Sequence, residues 1–256
     1  MLVSFLICGL EGRPWKSLAD NIQRQIDDAS VECEVLTNVD SGEKSSGKKR
    51  NELTVASRGR YVAFIDDDDR VSENYVKSIC NAILPTEPDL VTFCMTVTII
   101  HRIDKFKRTR VSKEKWKLGV WKDDRRTGRM AANHLCCWKK EIAVKSAWCE
   151  RLGYGDDQLW YGPLHASHAI KSHIFVDECL YFYECNLMTS KNQTSKRIAE
   201  SRAYFGPGLR CFGDINSLLI EDGHQRSELV LCRDTIGREI RVDTKIAKPF
   251  HTVRLL

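Results

Sequence analysis

No apolar stretch of this chain approaches the roughly 20 residues that a membrane-spanning helix needs, so the sequence predicts no transmembrane segment. The apolar start at residues 1–8 has no basic region and no small-residue cleavage site, both of which a secretory signal peptide carries. We therefore expect these residues to form a first strand and not a signal peptide.

Cysteine and histidine residues at metal-ligand spacing are also missing. The chain has 11 cysteines, an odd number, and none of them shows paired Cys-x-x-Cys spacing. Several lie in apolar runs, which is typical of reduced core thiols in a cytosolic protein. His165, His168 and His173 show no ligand pattern either, so we expect them in the core or on the surface.

Strand and helix patterns alternate through the first hundred residues. The predicted strands cover 2–8, 33–39, 61–65 and 89–100, and the predicted helices cover 15–29, 48–57 and 72–84. This order implies an α/β fold, a mostly parallel sheet with helices on both faces. Loops after the first three strands then meet at one edge, where ligands bind in such sheets. Farther along the chain, a short strand is predicted at 134–138 and a helix at about 139–148. Three short alternating runs after residue 206 predict a small C-terminal β-rich appendage.

Four consecutive aspartates, at residues 66–69, follow directly on the apolar run at 61–65. A buried strand cannot hold four unpaired charges, because removing each from water costs too much free energy. We therefore expect the acids at the exposed C-terminal end of the strand. Carboxylates at this density suit Mg²⁺ or Mn²⁺, ions that commonly hold phosphates. A solvated acidic turn is the alternative, and the apolar strand before the acids favours the metal site.

Ordered motifs in the first hundred residues resemble those of the family 2 glycosyltransferases, which have the GT-A fold. The motifs are Val-Leu-Thr-Asn-Val-Asp at 35–40, Gly-Lys-Lys-Arg-Asn at 47–51, Ala-Ser-Arg-Gly-Arg-Tyr at 56–61 and Phe-Ile-Asp-Asp-Asp-Asp at 64–69. The resemblance implies a Rossmann-like GT-A domain that binds a nucleotide sugar, with a UDP-sugar expected. The chain departs from the pattern at Val39, where the family has the first of two acids.

The resemblance also implies roles for individual residues. Asp66 and Asp68 match the spacing of the metal ligands, for Mn²⁺ or Mg²⁺, and Asp69 is expected to support the loop. The residues implied for donor binding are Arg13, Asn38, Asp40, Arg50, Asn51, Asp66 and Asp67.

A second pair of acids, Asp156 and Asp157, follows glycines at a predicted helix start. Acids at such a position are also typical of helix capping. Family 2 enzymes have a Gly-Glu-Asp segment here whose Asp is the catalytic base, so the resemblance implies Asp157 as the base, with Asp156 as the second candidate. It further implies an inverting transfer, in which the base takes the proton of the acceptor hydroxyl.

Positive charge concentrates between residues 101 and 129, although the net charge of the whole chain is only +5. We interpret the segment as an acceptor-binding surface for a polyanion. The alternative is a solvated, mobile loop whose tryptophans pack on the domain. The candidate acceptor-binding residues are Lys115, Trp116, Trp121, Arg125 and Arg126.

The patterns divide the chain into a nucleotide-sugar-binding half at 1–100, an acceptor-binding and catalytic half of the same domain at 101–205, and the appendage at 206–256. The leading hypothesis is a metal-dependent inverting glycosyltransferase. Its acceptor is hypothesised to be hydroxymethylated bases in DNA, as in bacteriophage DNA modification, which places it in the host cytoplasm. A cell-surface polysaccharide or lipid-linked glycan is the alternative acceptor. A nucleotidyltransferase and a non-catalytic binding protein are the other two classes.

Overall fold

A computed structural model describes residues 1–102, 109–120, 124, 126–150 and 156–186, and five further strands between residues 209 and 255. The strands of the first part are β1 (Val3–Leu10), β2 (Glu34–Asp40), β3 (Tyr61–Asp66), β4 (Arg70–Val71), β5 (Leu90–Arg102), β6 (Thr109–Gly119), β7 (Arg129–Ala131), β8 (Cys137–Lys139) and β9 (His173–Asn186). The helices are α1 (Trp15–Ala29), α2 (Ser46–Ala56), α3 (Tyr75–Ile83), α4 (Lys140–Ala143) and α5 (Asp156–Ala166).

These nine strands form one sheet in the described part of the chain, in the order β2-β1-β3-β8-β5-β6-β7, with β9 beside β5 and β4 beside β9. Strand β1 pairs in parallel with β2 and β3, and β5 pairs in parallel with β9. The short β8 runs antiparallel to both β3 and β5, so those two strands point the same way. The predicted mostly parallel sheet is confirmed, and the carboxyl ends of β1, β2 and β3 share one edge.

Helices cover both faces of the sheet. Phe5 lies opposite Ala63 in the parallel pair of β1 and β3, so Phe5 and Phe64 point to opposite faces. Phe5 packs against Tyr75 of α3 with the ring centroids 5.8 Å apart. Phe64 packs against Trp160 of α5 with the centroids 5.6 Å apart. Burial on both faces explains why β1 and β3 are almost continuously apolar.

The predicted helix at 72–84 begins later than expected. Helix α3 starts at Tyr75 with Asn74 in the N-cap position, and Ser72 does not cap it. The backbone N–H of Ser72 instead donates to the carbonyl oxygen of Leu180 in β9, at 3.0 Å. This contact holds the segment extended beside β9, so the helix can form only after it.

The predicted helix at 139–148 is also shorter than expected, because α4 ends at Ala143. The backbone N–H of Trp148 donates to the side chain of Asn51 at 2.9 Å and not to a helical carbonyl. The long-range bond to α2 therefore replaces the helical one at this end.

Residues 109–119 of the basic segment form β6, which pairs antiparallel with β5. The solvated loop of the alternative interpretation is therefore wrong for these residues, although Trp116 packs on the domain as that interpretation expects. The predicted short strand at 134–138 begins only at Cys137, after a turn at 133–136.

The C-terminal strands form their own antiparallel sheet. They are β10 (Leu209–Cys211), β11 (Leu218–Glu221), β12 (Glu228–Arg233), β13 (Glu239–Ala247) and β14 (Phe250–Leu255), in the order β10-β11-β14-β13-β12. The three predicted β runs coincide with β11, β12 and β13. Among the helices described, none combines the length and the apolar composition that crossing a membrane would take.

Candidate active site

Polar side chains meet where β1, β2 and β3 end. Asp67, just after β3, is buried and accepts hydrogen bonds from the backbone N–H of Leu10 and from Arg13 Nη1, both at 2.7 Å. Arg13 Nη1 also lies 3.0 Å from Asp68 Oδ2. The structure thus brings Arg13 and Asp67 together as predicted, but Asp67 binds the loop after β1, so both of its oxygens already have partners.

Arg50 joins the two predicted carboxylate groups. Its buried guanidinium donates to Asp66 Oδ1 at 2.6 Å and to Asp156 Oδ2 at 2.9 Å, and it lies 4.5 Å from the ring centroid of Trp148. Ser46 Oγ also donates to Asp156 Oδ2, at 2.9 Å. Burial by itself would lower the pKa of Arg50, but the two carboxylates outweigh it and raise that pKa. Asp156 therefore anchors α5 to α2, which leaves Asp157 as the candidate base.

Asp157 lies in the first turn of α5 with a third of its side chain exposed, 34%. Burial raises the pKa of Asp157, and the neighbouring Asp156 adds to the effect while His134 opposes it. A carboxylate with a raised pKa holds a proton more readily, which suits a general base.

His134 lies between Asp157 and Asp66. Its Nε2 is 3.3 Å from Asp66 Oδ2, and its Nδ1 is 3.8 Å from Asp157 Oδ2. Burial by itself would raise the pKa of Asp66, but Arg50 and His134 outweigh it and hold that pKa well below its usual value. Asp66 is therefore ionised, and both of its oxygens have a neighbouring donor.

Asp69 holds the loop after β3 against strand β9. It is buried, accepts from the hydroxyl of Tyr181 at 2.8 Å, and accepts from the backbone N–H of Glu184 at 3.2 Å. The same tyrosine oxygen accepts from the backbone N–H of Asp66 at 3.1 Å. Burial raises the pKa of Asp69 well above its usual value. This geometry matches the loop-supporting role that the resemblance implied.

The predicted metal ligands are Asp66 and Asp68. The side chain of Asp68 is 53% exposed. Its partial burial raises the pKa of Asp68. Among the described residues, no cluster of three or more His, Cys, Asp or Glu side chains is arranged to hold an ion. Each oxygen of Asp66 keeps a second lone pair beside the one that faces Arg50 or His134, so Asp66 and Asp68 still fit Mg²⁺, which commonly takes one or two carboxylates together with substrate phosphates and water.

Asp40, predicted to bind the donor, ends β2 and closes the loop after it. Its carboxylate accepts from the backbone N–H groups of Gly42 at 3.0 Å and Lys44 at 2.8 Å. It also pairs with the buried ammonium of Lys49, which donates to the carbonyl oxygen of Gly9 at 2.6 Å. Burial would raise the pKa of Asp40, but Lys49 and the two N–H groups outweigh it and lower that pKa.

Asn38 and Asn51, also predicted to bind the donor, both bond within the protein. Asn38 Nδ2 donates to Glu52 Oε2 at 2.7 Å. Asn51 Nδ2 donates to the carbonyl oxygen of Trp148 at 3.0 Å and to Glu150 Oε1 at 2.9 Å. Asn51 therefore connects α2 to the segment between α4 and α5. Its described hydrogen bonds are to that segment and not to the carboxylates of the site.

Solved structures share this arrangement of strands and helices. No protein-family model matches the chain, and no curated protein does. S. aureus TarS 1-349 in complex with UDP matches with a TM-score of 0.51 and 15% identity, over 72% of this chain and 60% of that one. The same TarS segment with UDP-GlcNAc has a TM-score of 0.50 and 12% identity, over 76% and 61%. The chain has a GT-A fold.

A structure of S. aureus TarS that covers more of that protein has a TM-score of 0.50 and 14% identity, over 72% of this chain and 37% of that one. The chain thus spans about 60% of the shorter TarS structures and little more than a third of this one. At such low identity, the likeness establishes the GT-A fold alone.

The candidate acceptor-binding residues of the GT-A domain do not share one surface. Lys115 is exposed on β6, whereas its neighbour Trp116 is 7% exposed and packs in the core. Adjacent strand residues point to opposite faces, so Trp116 cannot stack on an acceptor from this position. Arg126 is exposed. Trp121 and Arg125 lie outside the described residues.

Sequence reasoning missed two residues of the site, His134 and Lys49. His134 precedes an apolar run and carries no motif. Lys49 stands next to Arg50 in the Gly-Lys-Lys-Arg-Asn motif at 47–51. Its charge inside that motif was the one feature of the sequence that indicated a place in the site.

Proposed function

We propose that this chain is a glycosyltransferase that moves a sugar from a nucleotide-sugar donor to an acceptor hydroxyl with inversion. The observation that carries the proposal is the meeting of two carboxylates from distant parts of the chain, Asp66 and Asp157, on either side of His134. S. aureus TarS, a glycosyltransferase with the same fold, has been crystallised with UDP and with UDP-GlcNAc, which supports a uridine donor.

The charge of the site supports a bound cation. The described residues at this edge include six aspartates and two arginines, namely Asp66, Asp67, Asp68, Asp69, Asp156, Asp157, Arg13 and Arg50. A donor diphosphate is itself an anion, so an excess of carboxylates would repel it at short range. Asp66 and Asp68 would hold Mg²⁺ or Mn²⁺, which when bound neutralises charge on the departing diphosphate.

Asp157 activates the acceptor hydroxyl in the proposed reaction. An acceptor hydroxyl is a weak nucleophile until a base within hydrogen-bond reach takes its proton. In the proposed reaction, the proton passes to Asp157 while the hydroxyl oxygen bonds to the anomeric carbon. The bond from that carbon to the diphosphate oxygen breaks at the opposite face, so the configuration inverts.

The exposed cations of β6 support an anionic acceptor. Lys113, Lys115 and Lys117 are all exposed and alternate along β6, so they lie on the same face. DNA with hydroxymethylated bases is the specific acceptor we propose, and an anionic cell-surface polysaccharide or lipid-linked glycan is the alternative. If the protein has no affinity for duplex DNA even at low ionic strength, the DNA acceptor is excluded.

A donor screen tests the proposal. Nucleotide sugars are added with Mn²⁺ and the melting temperature is measured, because a ligand that binds only the folded state raises it. Donors that bind are then assayed for turnover with each acceptor. Release of a nucleoside diphosphate supports a glycosyltransferase, and release of pyrophosphate indicates a nucleotidyltransferase. Binding without turnover of any donor indicates a binding protein.

A further inference from the structure

Two thiols that are distant in the sequence meet at the amino end of the sheet. Cys33 immediately precedes β2, and Cys80 lies on α3, 47 positions later. Their sulfurs are 3.7 Å apart. Cys80 is 1% exposed in the core, whereas Cys33 is only partly buried. The fold therefore places one thiol within reach of a small molecule and a second, buried thiol in contact with the first.

Regular structure holds both thiols in place. Glu32 accepts from the backbone N–H of Leu2 at 2.6 Å, and Glu34 opens β2 in its parallel pairing with β1, so the backbone of Cys33 is fixed from both sides. Cys80 lies on the buried face of α3 and is fixed by that helix. The contact between the two sulfurs is therefore a property of the packed fold.

The contact makes the two thiols chemically unequal. The thiol of Cys80 donates toward the sulfur of Cys33, and this hydrogen bond lowers the pKa of Cys33. Burial opposes the effect, and the backbone N–H of Val3 adds to it. The same contact, together with burial, raises the pKa of Cys80. Because the thiolate is the nucleophile in disulfide exchange, the more exposed Cys33 is the thiol suited to react first.

A second pair of neighbouring cysteines lacks this arrangement. Cys94 and Cys179 are paired across β5 and β9. Cys94 Sγ donates to Asp177 Oδ1 at 3.6 Å, and Cys179 Sγ lies 2.8 Å from Thr96 Oγ1. Each of these sulfurs is bonded to an oxygen, so this pair is a matched control for the contact between Cys33 and Cys80.

We propose that Cys33 and Cys80 form a reversible disulfide, at a modification site separate from the candidate active site. In the first step, the Cys33 thiolate attacks a small-molecule disulfide such as oxidised glutathione, whose S–S bond breaks and releases one thiolate. Cys80 then loses its proton to solvent and attacks the sulfur of Cys33, and the second glutathione thiolate leaves. In total, two protein thiols are oxidised and one glutathione disulfide is reduced to two thiols.

The bridge closes a loop that includes β2, α2 and β3. This loop carries Asp40, Arg50 and the four aspartates at 66–69. A disulfide restricts the unfolded chain, and by more when the closed loop is long, so the oxidised protein should be the more stable form. We expect its melting temperature to exceed that of the reduced protein by about 5–15 °C. No donor or acceptor takes part, so the inference does not depend on the proposed function.

Peptide mapping of the full chain tests the bridge. The protein is incubated with oxidised glutathione, its free thiols are alkylated, and its peptides are analysed by mass spectrometry. We expect a linked peptide that joins Cys33 to Cys80 and that dithiothreitol separates, together with the rise in melting temperature. The proposal is wrong if this peptide is absent, if the link joins Cys94 to Cys179 instead, or if the bridge forms without stabilising the protein.

Single substitutions test the order of the two steps. In Cys80→Ser, the reaction should stop at a glutathione adduct on Cys33, because no second thiol displaces it. In Cys33→Ser, the buried Cys80 should take no adduct, and Cys179→Ser should still form the bridge. An adduct on Cys80 in Cys33→Ser would contradict the proposed order. If an unfolding curve shows that a variant does not fold, the wild-type peptide map still decides whether the bridge forms.

Discussion

Carboxylates at the two ends of the central sheet differ in how fully their oxygens are paired with donors. At the amino end, Glu34 has four donors, from the hydroxyl of Ser4 at 2.6 Å and from Arg58, whose backbone N–H, Nε and Nη2 lie at 2.7, 3.0 and 2.8 Å. At the carboxyl end, the aspartates outnumber the arginines that contact them. A carboxylate with every lone pair satisfied serves the fold, whereas an excess of negative charge indicates a place for a ligand.

Close packing joins β1 to the segment before β3 at the amino end. The backbone N–H of Gly59 donates to Ser4 Oγ at 2.8 Å. A Cβ at Gly59 would lie 2.4 Å from the backbone nitrogen of Ser4, so a larger residue does not fit. The carboxyl end differs because Asp68 and Asp157 keep part of their surface exposed. Asp66 is also 26% exposed, so the proposed donor and acceptor can reach these three acids.

Replacement of the candidate base should give the largest effect. We expect Asp157→Asn to lower kcat about 10²- to 10⁴-fold, the usual contribution of a general base. Its stability should change little, because the amide has the same shape and the side chain is partly exposed. Steady-state kinetics and urea unfolding measure the two quantities. Full activity in this variant would show that the base is another residue.

Loss of Arg50 should affect both function and stability. Arg50→Gln leaves Asp66 and Asp156 without their buried cation, so we expect a loss of about 3–5 kcal/mol in unfolding free energy. The matched control is Arg58→Gln at the amino end, since Arg58 is 72% exposed and its ion pair should contribute no more than about 1 kcal/mol. Equal losses in urea unfolding would remove the contrast between the two ends.

Replacement of Glu34 should lower stability and leave catalysis unchanged. We expect Glu34→Gln to cost about 1–3 kcal/mol, because donors to a charged acceptor lose their partner, while kcat stays unchanged. Burial would raise the pKa of Glu34, but bonds from Ser4 and Arg58 outweigh it and lower that pKa. Its contribution is therefore present above the ordinary pKa of about 4.3 and fades as the pH falls below it. Urea unfolding across pH should show the gap between wild type and variant narrowing toward acid.

A surface charge away from both ends should have the smallest effect. If Lys115 contacts an anionic acceptor, Lys115→Ala should raise the acceptor KM and weaken its dependence on salt, with stability unchanged within about 0.5 kcal/mol. The control is Lys16→Ala, an exposed lysine on α1. An acceptor KM that changes equally in both variants would assign the effect to net charge and not to the β6 surface.

Local patterns predicted much of the fold. The bounds of α1 agree with its prediction, and α5 starts at the predicted acids. Apolar runs predicted β1, β2, β3 and β5 within a few residues. These features depend on backbone periodicity and on the cost of burying charge, both of which neighbouring residues decide. Strand β6 and the short α4 were not predicted, because pairing with β5 and the bond from Trp148 to Asn51 join distant segments.

Patterns along the chain place four aspartates at a strand end and a second acidic pair at the start of a later helix. The use of each acid depends on contacts made in the folded protein. Arg50 meets Asp156 across 106 positions of the chain, and His134 meets Asp66 across 68. Such contacts depend on strand order and on the path of the chain across the sheet. Spacing along the chain encodes neither the strand order nor the path of the chain. Motifs therefore located the carboxylates, and the folded structure determines which of them face the proposed substrates.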